Sequence, residues 1–220
     1  MRIDELGLNR FIEGLVAGQG GRCAAMLDHY LNRQTPIIDL YQHLFQPALH
    51  RIGALWEEDQ ISVATEHMAT AIIEGLMNEL QPRLLTAPRR SLKAMIASVE
   101  GDLHQIGGKM VADVFAVNGW DARYLGANTP THELLRLAAV EQPQVVGLSV
   151  SVTSHMPQLA NALDVLQSRF PKLLLLVGGQ GLSRGGAGTI ANFPNARLIE
   201  SLDKLDQFAA HFTPEDPQRA

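Results

Sequence analysis

The residues Glu100-Gly101-Asp102-Leu103-His104-Gln105-Ile106-Gly107-Gly108 place a carboxylate two positions ahead of an imidazole, with glycines on either side. A histidine that ligates a metal uses one ring nitrogen. Its other nitrogen needs an acceptor that fixes the tautomer and raises basicity. Asp102 is near enough in the chain to be that acceptor for His104, and the glycines let a bulky ligand approach the backbone. The same residues also describe a glycine-rich turn with a surface histidine. Further along, Ser149 and Ser151 in "GLSVSVT" offer small hydroxyls, and Gly178-Gly179 in "LLLLVGGQGL" offers a pair without side chains. In the first half, Trp56, Glu66 and His67 share the stretch "LWEEDQISVATEHMAT". Taken singly, the tryptophan reads as core packing and Glu66-His67 as a solvated helix start.

The elements that must position these groups fall into two halves with different periods. Residues 4 to 17 carry Leu6, Ile12, Leu15 and Val16 at mostly helical spacing. "GRCAAMLDHYLNR" continues that pattern after the break "GQGG". "TPIIDLYQHLFQPALHRIGALWEE" is a third helix that Pro47 should kink or divide. "SVATEHMATAIIEGLMNELQPRLL" is a fourth. Four helices with short connections predict an antiparallel bundle over residues 1–85. "TAPRRS" reads as a linker with two solvated arginines. Over residues 91–213 strands alternate with helices: "LKAMIASV", "WDARYLG" and "QVVGLSVSV" are strands each followed by a helix, "KLLLLVGG" is a fourth strand, and the short "ARLIE" offers a fifth ahead of the helix "SLDKLDQFAAHF". That alternation predicts an α/β fold with a doubly wound parallel sheet. Such a sheet binds ligands beyond the C-terminal ends of its strands. Asp102 and His104, Ser149 and Ser151, and Gly178 and Gly179 all follow or end strands, so one edge collects them. The tail "TPEDPQRA" reads as frayed.

The bulk properties narrow the classes. The chain has 220 residues, 46% hydrophobic and 19% charged, which is ordinary for a soluble globular protein. Its net charge of −5 supplies no global attraction for nucleic acid or anionic lipid. The single cysteine, Cys23, excludes an internal disulfide and fits a reducing cytoplasm. No run reaches the roughly 20 apolar residues of a membrane span. "GLSVS" lacks the second glycine of a nucleophile elbow, and "GGKM" lacks the hydroxyl and spacing of a P-loop. "GGQGLSRGGAG" follows the fourth strand and does not open the first βα unit, which disfavours a dinucleotide fingerprint. The histidines lack zinc-ligand spacing; His132 and His155 fall near helix starts at the binding edge and read as surface residues.

Asp102-Leu103-His104-Gln105-Ile106-Gly107, then Ser149-Val150-Ser151, then Gly178-Gly179, resembles the signature of cobalamin-binding domains. The resemblance implies a Rossmann-like or flavodoxin-like domain in which His104 displaces the corrinoid's own base and becomes the lower axial ligand to cobalt. It makes Asp102 the partner of the ring's far nitrogen. It assigns Gly107, Ser149, Ser151, Gly178 and Gly179 to the slot for the displaced nucleotide tail. The spacing of Trp56 from Glu66 and His67, together with "YLGANTP", is similar to adenosylcobalamin-dependent photoreceptor regulators, from about residue 35 to 206. There the tryptophan packs on the adenosyl group, and the glutamate and histidine contact it or its surroundings. Two departures stand out. The bundle and sheet use the whole length and leave no DNA-binding module. Glu57 follows Trp56 where the best-matched sensors have a histidine.

The resemblance therefore implies a cytoplasmic light sensor that holds adenosylcobalamin under a helical cap and signals to a protein effector or through homo-oligomerisation. It implies neither direct nucleic-acid contact nor membrane contact. Some small relatives also hold a bilin, which no residue here establishes. An alternative is a corrinoid methyl-carrier protein of a methyltransferase system, with the same plan and lower-ligand motif; the adenosyl-type cap argues for the sensor and the missing DNA-binding module for the carrier. A third reading, the cobalamin subunit of a split mutase, conflicts with the helical cap.

Overall fold

The structure, a computed structural model, describes residues 3–84, 87–182 and 187–214. It divides into two compact units, Met1–Arg83 and Leu84–Ala220.

The first unit is helical. Its elements are α1 (Glu5–Val16), α2 (Gly20–Leu31), α3 (Ile37–Leu40), α4 (Gln46–Glu57) and α5 (Val63–Leu84). Asp4 caps α1 by accepting the Gly7 N–H at 2.8 Å. The helices meet over Phe11, Leu15, Leu27, Tyr41, Phe45 and Met77, all of them buried. Phe11 and Phe45 stack with ring centroids 5.7 Å apart. The third predicted helix runs without interruption from Ile37 to Glu57, and Pro47 leaves its mark on it as a local widening. Residues Tyr41–Phe45 make one π-helical turn in which Gln46 N–H reaches back to Tyr41 C=O. Pro47 has no N–H to continue the ladder and its ring crowds the carbonyl four residues back, so the helix widens by one residue there. Trp56 and the pair Glu66 and His67 sit on the facing ends of α4 and α5, joined by the turn at Asp59, whose φ is +55°.

The second unit is a five-stranded parallel sheet in the order β2-β1-β3-β4-β5. The strands are β1 (Lys93–Ser98), β2 (Asp121–Tyr124), β3 (Val145–Ser149), β4 (Leu174–Gly178) and β5 (Ala196–Leu198). The crossover helices are α6 (Ile106–Val117), α7 (Thr131–Glu141), α8 (Met156–Arg169) and the four-residue α9 (Ala187–Ile190); α10 (Leu202–His211) follows β5. β1 and β3 are apolar and buried along nearly their whole length, as a sheet covered on both faces demands. Strand order reverses between β1 and β3, so the crevice for a ligand opens at their C-terminal ends.

Of the two linker arginines, Arg89 is exposed as expected and Arg90 is not. Arg90 is not simply solvated: its guanidinium donates to the Ala209 and Phe212 carbonyls at 2.6 and 2.7 Å and lies 5.8 Å over the Trp120 ring. A planar five-donor fork satisfies the open carbonyls at the end of α10. Most of the tail expected to fray lies outside the described residues.

Candidate functional site

The β1–α6 loop begins with a tight turn in which Asp102 N–H donates to Val99 C=O at 3.0 Å. Gly101, at φ +87°, supplies the left-handed backbone that a side chain would strain. The turn is tied to the β2–α7 loop, because Gly101 N–H donates to Asn128 Oδ1 at 2.7 Å and Asn128 N–H to Asp102 C=O at 2.8 Å. Asn128 adopts φ +50°, a conformation its short amide tolerates. Asp102 is thereby folded inward and is fully buried.

A buried carboxylate must be hydrogen-bonded on both oxygens, and this one is. Oδ1 accepts the His104 ring Nδ1 at 2.7 Å and the His104 backbone N–H at 3.0 Å. Oδ2 accepts the Ser151 N–H at 2.5 Å. Burial pushes the Asp102 carboxyl up. The hydrogen bonds from the His104 ring, from Ser151 and from the His104 backbone, with the ring's charge, outweigh that and hold it below the ordinary aspartate value. In the neutral ring the ionised carboxylate makes Nδ1 the protonated nitrogen, so Nε2 carries the lone pair. The His104 side chain is 62% exposed, against 0% for Asp102. An imidazole with its tautomer fixed from below and its ring presented outward is suited to ligate a metal. Among the described residues no three or more His, Cys, Asp and Glu side chains gather into an ion-binding group. A lone imidazole suits a metal that brings its remaining ligands in its own macrocycle.

Around this pair the strand ends align. Ser98, Ser149 and Gly178 sit in register across β1, β3 and β4. Ser98 Oγ donates to the His104 carbonyl at 2.8 Å and fastens the ligand loop to its strand. Ser98 was not anticipated, because its neighbours follow from register alone. The predicted glycines separate into two kinds. A Cβ on Gly179, at φ +114°, would lie 2.2 Å from the Val150 carbonyl, so the backbone itself demands glycine there. A Cβ on Gly178 would lie 3.6 Å from the Ile199 carbonyl, and one on Gly107 4.0 Å from Ser149 Oγ. Those are ordinary contacts, so the fold tolerates a side chain at either position and the glycines leave space for something else. Ser149 is buried and Ser151 half-buried beside them. Two hydroxyls set among residues without side chains suit a slender chain bearing hydrogen-bonding groups.

His132 is a surface residue, 79% exposed beside Glu133. His155, expected on the surface with it, is instead turned inward, with Nδ1 3.9 Å from Asp102 Oδ2. The short helical turn Thr153–His155 carries it back over the Asp102 loop.

In the helical unit, Trp56 is 46% exposed. Glu66 accepts from the Thr70 hydroxyl at 3.0 Å, and the outward His67 ring lies 3.6 Å from the same carboxylate. The Thr70 contact is the ordinary one between helix positions four apart.

Comparison with known proteins agrees with this geometry. Residues 92–192 match a family model described as a B12 binding domain, and residues 8–81 match a second model of that description. The chain is 24% identical over 179 residues to a methionine synthase of Mycobacterium tuberculosis, and 22% identical over 184 residues to that of Mycobacterium leprae. It spans about 15% of the length of these curated relatives. Among solved structures, a monomethylamine corrinoid protein of Methanosarcina barkeri superimposes with a TM-score of 0.80 at 18% identity, over 94% of this chain and 98% of that one. A methanol:cobalamin methyltransferase complex of the same organism gives 0.51 at 17% identity, over 98% of this chain and 84% of that one. With a B12 binding domain model matching each of its two units, the chain belongs to the B12-binding domain family.

Proposed function

We propose that this protein is a corrinoid carrier in a methyl-transfer system, holding cobalamin at the C-terminal edge of its sheet and working with separate methyltransferase subunits. The single observation that carries the cofactor assignment is the 2.7 Å contact between His104 Nδ1 and a fully buried Asp102 carboxylate at the strand-order reversal. Methyl transfer is supported by the relatives, whose names are those of methionine synthases, a monomethylamine corrinoid protein and a methanol:cobalamin methyltransferase complex. These relatives lend no support to light sensing, to an adenosyl group as the native upper ligand or to a bilin.

A bound corrinoid's cobalt supplies the nucleophile that accepts a methyl group and the centre that releases it. The chain's own residues do the rest. His104 would hold the cobalt through Nε2, and Asp102 would hold the tautomer that leaves Nε2 its lone pair. Ser149 and Ser151 would hydrogen-bond the displaced nucleotide tail, and Gly107, Gly178 and Gly179 would border its path.

The test is spectroscopic. The chain loaded with cobalamin and reduced to the divalent cobalt state should show the three-line nitrogen splitting of one axial imidazole by electron paramagnetic resonance. His104→Ala should lose that splitting while retaining some corrinoid. A wild-type spectrum without nitrogen splitting would overturn the assignment.

The half-exposed Trp56 indole, near Glu66 and His67 on the ends of adjoining helices, favours a second reading: these side chains shield an upper adenosyl ligand and the protein senses light. Illuminating the adenosylcobalamin-loaded chain separates the two. A lasting spectral change joined to altered assembly would favour the sensor, and return to the dark spectrum without altered assembly would favour the carrier.

A further inference from the structure

Asp102 has two histidine neighbours, and the carrier reading gives a task to only one. His155 ends the turn Thr153–His155 and caps the start of α8. Its Nδ1 lies 3.9 Å from Asp102 Oδ2, on the oxygen opposite the one His104 holds. That nitrogen is buried and has no hydrogen-bond partner among the described residues. A buried polar atom in that state is uncommon in native proteins and calls for a reason. The other edge of the ring, Cδ2 and Nε2, lies 3.4 Å from where a Cβ on Gly101 would stand. The second imidazole thus packs against the glycine that precedes Asp102. Oδ2 already accepts the Ser151 N–H, but a carboxylate oxygen has two lone pairs and takes a second donor. A shift of about 1 Å would bring Nδ1 into hydrogen-bond range.

We propose that His155 is a positioning residue that shares the Asp102 carboxylate with His104. When His104 is drawn off, His155 closes onto Oδ2, so the buried carboxylate keeps its partners and its place. Asp102 is then held between two imidazoles, only one of which faces the metal. This inference rests on the reading of His104 as the axial ligand, because a ligand that changes distance from cobalt is what would repeatedly take a donor from Asp102.

The experiment uses the full chain without corrinoid, so that it reads the protein alone. His155→Phe keeps ring volume and removes the donor, and His155→Asn keeps a donor near Nδ1. Urea unfolding of His104→Ala, His155→Phe and the double variant forms a cycle. The double variant should lose about tenfold more in folding constant than the product of the single losses, and His104→Ala with His155→Asn should recover most of it. Losses that simply multiply would overturn the proposal. If the double variant does not fold, nitrogen NMR of the single His104→Ala protein decides. The His155 Nδ1 resonance should move to the position of a hydrogen-bonded N–H, and an unmoved resonance would overturn the proposal. Cobalamin uptake and nitrogen splitting in the wild type, measured separately, report on the cofactor reading alone.

Discussion

The C-terminal edge of the sheet and the adjoining ends of α4 and α5 both carry residues that the sequence resemblance singles out, yet they are built differently. At the sheet edge the fold specifies the groups. Asp102 is buried, its two oxygens accept three donors, and the loop that carries it is tied to the next loop through Asn128. At the helix ends, Trp56 is half exposed, His67 is three-quarters exposed, and Glu66 is held by a neighbour one helical turn away. The first arrangement is set before any ligand arrives. The second leaves side chains free to adapt to one. A group held by buried hydrogen bonds presents a single geometry, whereas half-exposed side chains keep several rotamers within reach.

Substitutions should separate the two regions in order of cost. Gly179→Ala should be the most damaging: φ +114° disfavours alanine and its Cβ would meet the Val150 carbonyl. A loss of about 3 kcal/mol in urea unfolding is expected. Asp102→Ala should cost about 2 kcal/mol, because it leaves the Ser151 and His104 N–H groups without their acceptor. The folded-state pKa of Asp102 lies below the ordinary value. Its contribution is therefore present above the unfolded aspartate pKa and is lost as pH falls through the folded one, so wild type and Asp102→Ala should converge in stability in strong acid. His104→Ala should change stability by under ~1 kcal/mol, since the ring is largely exposed, while removing the nitrogen splitting of bound cobalt. Trp56→Ala should have the smallest structural effect, under ~0.5 kcal/mol, with any change confined to cobalamin affinity and spectrum. A Trp56→Ala loss as large as that of Asp102→Ala would erase the contrast between the regions.

The gathering of these residues at one sheet edge was legible in the sequence. Asp102, His104, Ser149, Ser151, Gly178 and Gly179 belong to loops or strand ends that a parallel sheet brings to one edge, so strand alternation located them without coordinates. Ser98, Asn128 and His155 were not legible in that way. Ser98 acquires its place opposite Ser149 from strand register. Asn128 matters because two loops far apart in sequence meet. His155 was read as a surface residue because nothing local to "TSHMP" says that a short helical turn will carry its ring back over Asp102. The Arg90 contacts with the end of α10 link residues 119 and 122 positions apart and were invisible for the same reason.

Readable along the chain alone were the two halves, most of the order of helices and strands, the irregularity around Pro47 and the pairing of Asp102 with His104. Each is a matter of periodicity, backbone chemistry or near neighbours, which local physics governs. Only the tertiary structure decided which glycines the backbone demands, which carboxylate oxygen each donor takes, and that a second imidazole stands beside the first. Those depend on distances between segments remote in the chain, and packing in three dimensions sets such distances.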